Sequence, residues 1–142
     1  MIALGCDSAG FDLMQHVKSH LDGLGLEYIS FDHVNKPNDY PLFADSVVSA
    51  IKSGQAERGI LICGTGIGIS IAANRHKGIR CALCHDVFSA KATRAHNDAN
   101  ILAMGGRVIA SGLAIEIVSA FLSAGFSQEQ RHVKRVEMLD EE

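Results

Sequence analysis

The sequence predicts an α/β fold built on a five-stranded parallel sheet. Three observations predict it. Short apolar runs alternate with longer stretches whose apolar residues recur at helical spacing. The short runs are unbroken by charge, as strands covered on both faces should be. The alternation continues from end to end with no internal repeat, low-complexity tract or linker. A chain of 142 residues arranged this way is read as one domain, 1–142, large enough for a substantial core.

Each element has a local reason. Residues 2–6 form an apolar first strand that ends at Asp7. From 11 to 24, Phe11, Met14, Val17 and Leu21 make a helical stripe, which Gly23 and Gly25 end. Residues 28–31 are the second strand and 33–39 a polar loop. Pro41 then opens a helix where its missing N–H costs little; Phe43, Val47, Ala50 and Ile51 are its apolar face. Residues 60–63 are the third strand, and the helix after Gly66 runs to about His76. Residues 79–84 are the fourth strand, followed by a helix capped by Asp86 or Ser89 and ending near Asn97. Residues 100–104 are the fifth strand. Ser111 caps a helix to Ala124, and 128–139 form a last, more polar helix. Repeated strand–helix units of this length imply parallel pairing with helices on both faces.

Composition narrows the function. Hydrophobic residues make up 47% and charged residues 20%, which excludes a disordered chain. A net charge of −3 provides no overall field for nucleic acid or an anionic membrane, so neither is expected as a partner. The N-terminus lacks the basic and apolar regions of a signal peptide, and no apolar run approaches the roughly 20 residues of a spanning helix. A cytoplasmic protein is expected, with Cys6, Cys63, Cys81 and Cys84 as reduced thiols.

In such sheets, ligands bind beyond the C-terminal ends of the strands. Asp7, the run from Cys63 to Gly68, His85-Asp86 and Gly105-Gly106-Arg107 are expected there. The most informative run is Cys63-Gly64-Thr65-Gly66-Ile67-Gly68-Ile69-Ser70. It reads as strand, glycine loop, helix, and it offers consecutive N–H groups at a helix N-terminus, where negative charge is favoured. That field also favours the ionised form of a cysteine. A reactive thiol beside an anion cradle points to chemistry on a small, oxygen-rich anion.

Several segments together resemble the ribose-5-phosphate isomerase B family, which includes the galactose-6-phosphate isomerase subunits. They are Gly5-Cys6-Asp7-Ser8-Ala9-Gly10-Phe11, Asp39-Tyr40-Pro41, the run from Ile62 through the glycine loop to Asn74, Ala95-His96-Asn97-Asp98-Ala99-Asn100, Gly105-Gly106-Arg107, and Gln130-Arg131-His132-Val133-Lys134-Arg135. They occur in order across nearly the whole chain. The resemblance implies a Rossmann-like α/β/α sandwich and a homodimer or homotetramer whose active sites draw residues from two subunits. It also implies interconversion of aldose and ketose phosphates with no metal or other cofactor. The last helix is then expected to pack at a subunit interface.

Isomerisation through an enediol needs a base, donors for the enediolate oxygen, a proton relay and a phosphate anchor. Cys63 is the candidate base. The resemblance places a cysteine here in one branch of the family and a Glu at the position of Ile69 in another; Ile69 has no basic group, so this chain falls in the cysteine branch. Thr65 matches the hydroxyl that passes a proton between the two sugar oxygens. The N–H groups of Gly64, Gly66, Ile67, Gly68 and Ser70 are the expected oxyanion pocket. His96 matches the ring-opening acid, a task suited to an imidazole, and His132 is a second candidate for it. Asn97, Asp7, Ser8 and Tyr40 are expected to bind the sugar. Arg107, Arg131 and Arg135 are the expected phosphate clamp; Arg131 and Arg135 lie four apart, on one helix face.

Each assignment has a plainer rival. Cys63 is also explained as a core thiol, Asp7 as a helix cap, His96 as a residue satisfied by helix carbonyls, and the arginine pair as a solvated face. Ser8 departs from the His common in the family, which leaves substrate length open. Cys81-Ala82-Leu83-Cys84-His85 has the form of a haem attachment site, but it falls on an expected core strand and follows no export signal. The rival functions are the same reaction on a tetrose or hexose phosphate, a non-catalytic sugar-phosphate sensor, and a flavodoxin-like nucleotide module.

Overall fold

The computed structural model describes residues 1–141. Its strands are β1 (Ile2–Cys6), β2 (Tyr28–Phe31), β3 (Arg58–Cys63), β4 (Cys81–Leu83) and β5 (Ile101–Gly105). The helices are α1 (Phe11–Gly23), α2 (Tyr40–Lys52), α3 (Ile67–Asn74), α4 (Val87–Asn97), α5 (Ser111–Ser123) and α6 (Gln130–Glu141). All neighbouring strands pair in parallel, in the order β2-β1-β3-β5-β4. The expected five-stranded parallel sheet is therefore present, with its order reversing between β1 and β3.

Alternation along the strands splits the core into two layers. Leu4, Ile60, Ile62, Leu102 and Met104 face one layer with α1 and α5 residues such as Met14, Leu21 and Phe121. Ala3, Leu61, Ile101 and Ala103 face the other, with Val47 of α2 and Ile69 of α3. Burying a side chain as large as Phe121 contributes roughly 1.5–3 kcal/mol. α2 approaches the sheet closely because β3 offers no side chain at Gly59: a Cβ there would lie 2.5 Å from Val47 Cγ1.

Several boundaries differ from the sequence reading: β5 and α6 are each offset toward the C-terminus, α3 stops at Asn74, and three further differences have a local cause. β3 begins earlier, at Arg58, whose guanidinium donates to the Phe121 and Leu122 carbonyls at the end of α5. β4 is shorter than 79–84 because it is an edge strand, and at its start Asn100 Oδ1 takes the Arg80 N–H. Ser111 is the first residue of α5; Ala110 occupies the cap position and makes no side-chain bond. Asp86, by contrast, caps α4, its carboxylate accepting the Ser89 N–H at 2.6 Å. Among the described residues no helix is long and apolar enough to cross a membrane.

Candidate active site

The reversal of strand order leaves a crevice beyond the ends of β1 and β3, where open parallel sheets bind ligands. A cleft of about 360 Å³ opens there, lined by Asp7 and Ser8 after β1, Cys63, Gly64 and Thr65 after β3, Gly68 of α3, Tyr40 of α2 and Arg107 after β5, together with Ala9 and Asn38.

Cys63 is the last residue of β3 and pairs with Gly105 of β5. It is 4% exposed and packs with the second core layer, yet it forms part of the cleft floor. Its Sγ accepts the Gly66 N–H at 3.2 Å, a contact that stabilises negative charge on sulfur. The bond requires the loop to reverse at Gly66, which has φ +78°. The other three thiols are pushed up by burial. Burial pushes Cys6 up to about 12 and Cys84 up to about 11, with Asp32 and Asp86 adding to the respective shifts; burial raises Cys81 as well. They remain protonated thiols at neutral pH. Cys81 packs toward one core layer and Cys84 belongs to the other, so the haem-like spacing does not bring the pair together on one face.

The remaining cleft walls are held by hydrogen bonds between loops. The Gly106 and Arg107 N–H groups donate to the Cys63 and Gly64 carbonyls at 2.8 and 2.9 Å. This seats Arg107 across Gly64, where a Cβ would be 3.6 Å from Nη1. The Gly105 N–H donates to His85 Nε2 at 2.9 Å, so His85, one residue before the α4 cap, supports the same turn. The sequence had placed His85 near the crevice without a role, because a supporting bond to one backbone N–H leaves no motif. Asp7 is a cap, accepting the Gly10 N–H at 3.1 Å, and also a cleft residue. Tyr40 lies over Gly68, where a Cβ would meet its ring at 2.6 Å.

The anion cradle is narrower than the run of seven residues implies. The Gly66 N–H goes to sulfur, the Ile67 N–H to Thr65 Oγ1 at 3.2 Å, and the Ser70 N–H to the Gly66 carbonyl. Ser70 is buried and donates its hydroxyl to the Ile67 carbonyl. Gly66, Ile67 and Ser70 therefore build the loop, while Gly64, Thr65 and Gly68 face the cleft.

A second group of expected residues lies elsewhere. His96 and Asn97 end α4, which runs back against the strands, and Asn100 three residues later bonds to Gly78 and Arg80 at the start of β4. His96 stacks on His132 of α6 with centroids 4.5 Å apart. α6 is tied to the same edge by Arg80, whose Nη1 donates to both Asp140 oxygens at 2.8 and 2.9 Å. Cys63 lies at the opposite end of the strands, about 13 Å along the strand direction for four residues of β5. Within one chain, His96, Asn97, Arg131, His132 and Arg135 do not line the cleft. His132 is buried, and its Nδ1 is 2.6 Å from Ser127 Oγ. Burial, then His96 and the Arg131 cation, hold its pKa below the usual imidazole range. Arg131 pairs with Glu129 at 3.0 Å, but both are exposed and the pair is weak. Among the described residues no three His, Cys, Asp or Glu side chains are grouped to hold a metal ion.

The chain is similar to known proteins over nearly its whole length. The chain is 45% identical over 139 residues to ribose-5-phosphate isomerase B of Escherichia coli, covering 97% of this chain and 93% of that protein. It is 46% identical over 127 residues to D-erythrulose-4-phosphate isomerase of Pectobacterium atrosepticum, covering 88% and 84%. Among solved structures, ribose-5-phosphate isomerase B of Clostridium thermocellum superposes with a TM-score of 0.94 at 47% identity, covering 99% of this chain and 95% of that one. The sequence signature described as Ribose/Galactose Isomerase matches residues 2–139. The likeness thus spans the segments that hold both residue groups, the cleft at one end of the strands and the histidine pair at the other, and the chain belongs to the ribose/galactose isomerase family of enzymes.

Proposed function

We propose that this protein interconverts ribose 5-phosphate and ribulose 5-phosphate through an enediol, in the cytoplasm and without a metal. The observation that carries the reading is Cys63 Sγ at the cleft floor, accepting an N–H and flanked by Thr65 and Arg107. The Cys63 thiolate takes the C2 proton of the open-chain aldose, and the electron pair forms the C1–C2 double bond. Negative charge develops on O1, toward the loop N–H groups. Thr65 returns a proton between O1 and O2, and the thiol delivers its proton to C1.

Ring opening and phosphate binding call for the second residue group, which one chain holds at the far end of the strands. A second copy of the chain supplies it, in a homodimer or homotetramer with shared sites. Exposed apolar surface supports this: Ile67 and Val108, next in sequence to the cleft residues Gly68 and Arg107, are exposed, as are Ile71 and Phe88, the latter 79% exposed. From the second copy, Arg131 and Arg135 join Arg107 on the phosphate, and Asn97 binds the sugar. His96 is exposed and protonates the ring oxygen, whereas His132 is buried, disfavoured as a cation, and stacked behind it. Mixing Cys63→Ala and His96→Ala chains after dissociation is expected to restore about a quarter of the parent activity, since half the random dimers regain one complete site. Recovery no greater than the sum of the two variants alone would place His96 outside the shared site.

A four-carbon substrate is the second reading, favoured by the 46% identity to an erythrulose-phosphate isomerase. Turnover of four-, five- and six-carbon aldose phosphates by metal-free protein tests both. The five-carbon sugar is expected to have the highest kcat/KM. No turnover of any would leave the non-catalytic binding role.

A further inference from the structure

Asn38 lines the cleft and belongs to none of the motifs above. Both ends of its amide engage one residue, 30 positions away in sequence. Its Oδ1 accepts the Ser8 N–H at 2.8 Å, and its Nδ2 donates to Ser8 Oγ at 2.7 Å. The Ser8 hydroxyl is thereby an acceptor toward Asn38, which leaves its own proton for a ligand oxygen.

The pair also anchors a loop. Residues 32–38 are shaped by their own bonds, Val34 N–H to Asp32 and Lys36 N–H to the His33 carbonyl, and Asn35 has φ 61°. His33 meets Phe11 edge-on at 5.3 Å. Asn38 joins this loop to the segment after β1, two residues before Tyr40 covers Gly68. Asp7, Ser8, Asn38 and Tyr40 thus form a wall of the cleft that bears no cation; Arg107 is the one cationic side chain in the lining.

Resting on the isomerase reading above, we infer that Asn38 is a specificity-determining residue: its two hydrogen bonds to Ser8 close one wall of the Cys63 cleft and so set the length of sugar phosphate accepted. The reacting carbon has to sit at Cys63, so the room left for the rest of the chain depends on this wall. Untying it adds space that a longer substrate fills and a shorter one leaves to water. Chain-length discrimination of this kind commonly amounts to about 10-fold or more per carbon.

The test compares kcat/KM for four-, five- and six-carbon aldose phosphates in the parent, Asn38→Ala and Asn38→Asp proteins, with thermal unfolding of each. Asn38 is exposed, so all three are expected to fold with similar midpoints. Asn38→Ala is expected to raise the six- to four-carbon ratio by about 10-fold. Asn38→Asp keeps an acceptor for the Ser8 N–H and gains the Ser8 hydroxyl as a donor. It is expected to retain the parent ratio while raising KM for every phosphate through charge repulsion. A ratio within about twofold of the parent in Asn38→Ala, with Cys63-dependent turnover intact, would overturn the inference. Absence of turnover in the parent protein would instead overturn the isomerase reading, and this inference with it.

Discussion

Replacing Cys63 by Ala is expected to lower kcat by about 10³-fold or more while leaving KM and phosphate affinity within a fewfold of the parent. The size follows from the role. A positioned general base contributes typically about 10²–10⁴ in rate. The sulfur lies at the floor of the cleft, where its one hydrogen bond comes from the Gly66 N–H. None of the arginines proposed to hold the phosphate bonds to it, so ground-state binding is expected to be retained and the loss to fall on the chemical step. The Cys63→Ser variant separates shape from chemistry: it keeps a donor and acceptor of similar size but a far less acidic group, and is expected to behave like Cys63→Ala. Steady-state kinetics with calorimetric titration of a non-reacting sugar phosphate reads both quantities. Loss of affinity in step with kcat would make Cys63 a binding residue.

A large loss of stability is expected at Gly66. Its φ of +78° costs an alanine about 1–2 kcal/mol by itself. The new Cβ would also lie 2.7 Å from the Met104 carbonyl carbon and 2.6 Å from Leu83 Cδ1. Leu83 has room to turn, but the β5 backbone does not. Gly66→Ala is expected to destabilise by about 3 kcal/mol, and the melting midpoint should fall by about 10 °C for a domain of this size. Activity should fall with it, because the same displacement breaks the N–H contact to the Cys63 sulfur. Gly112→Ala is the matched control: nothing lies within 4 Å of its Cβ position in α5, and it should be neutral or slightly stabilising. Equal midpoints for the two variants would contradict the packing described.

Much of this architecture was legible in the residues because both signals are local. β1 and β2 have the bounds that their apolar runs predict, and Asp86 caps α4 as its residue type implies. The parts that were not legible depend on contacts between distant segments. Arg58 joins β3 because its guanidinium finds the carbonyl end of α5, which no window around Arg58 shows. Ser111 carries the chemistry of a cap, but the chain turns one residue earlier. The glycine loop announced a row of N–H donors, yet sulfur, the Thr65 hydroxyl and the loop's own carbonyl occupy three of them. His85 and Asn38 act through single partners, one at the end of β5 and one after β1, a relation that composition does not encode. The separation of His96 from Cys63 follows from topology alone: a helix that returns antiparallel to its strand delivers its last turn to the opposite end of the strands.

The most direct test of the base assignment is the exchange of the substrate's C2 hydrogen with deuterium from solvent, followed by NMR in the parent and Cys63→Ala proteins. The account predicts exchange with the parent protein on ribose 5-phosphate and none above background with the variant, although both bind the sugar phosphate. Exchange by the Cys63→Ala protein at the parent rate would show that another group removes the proton.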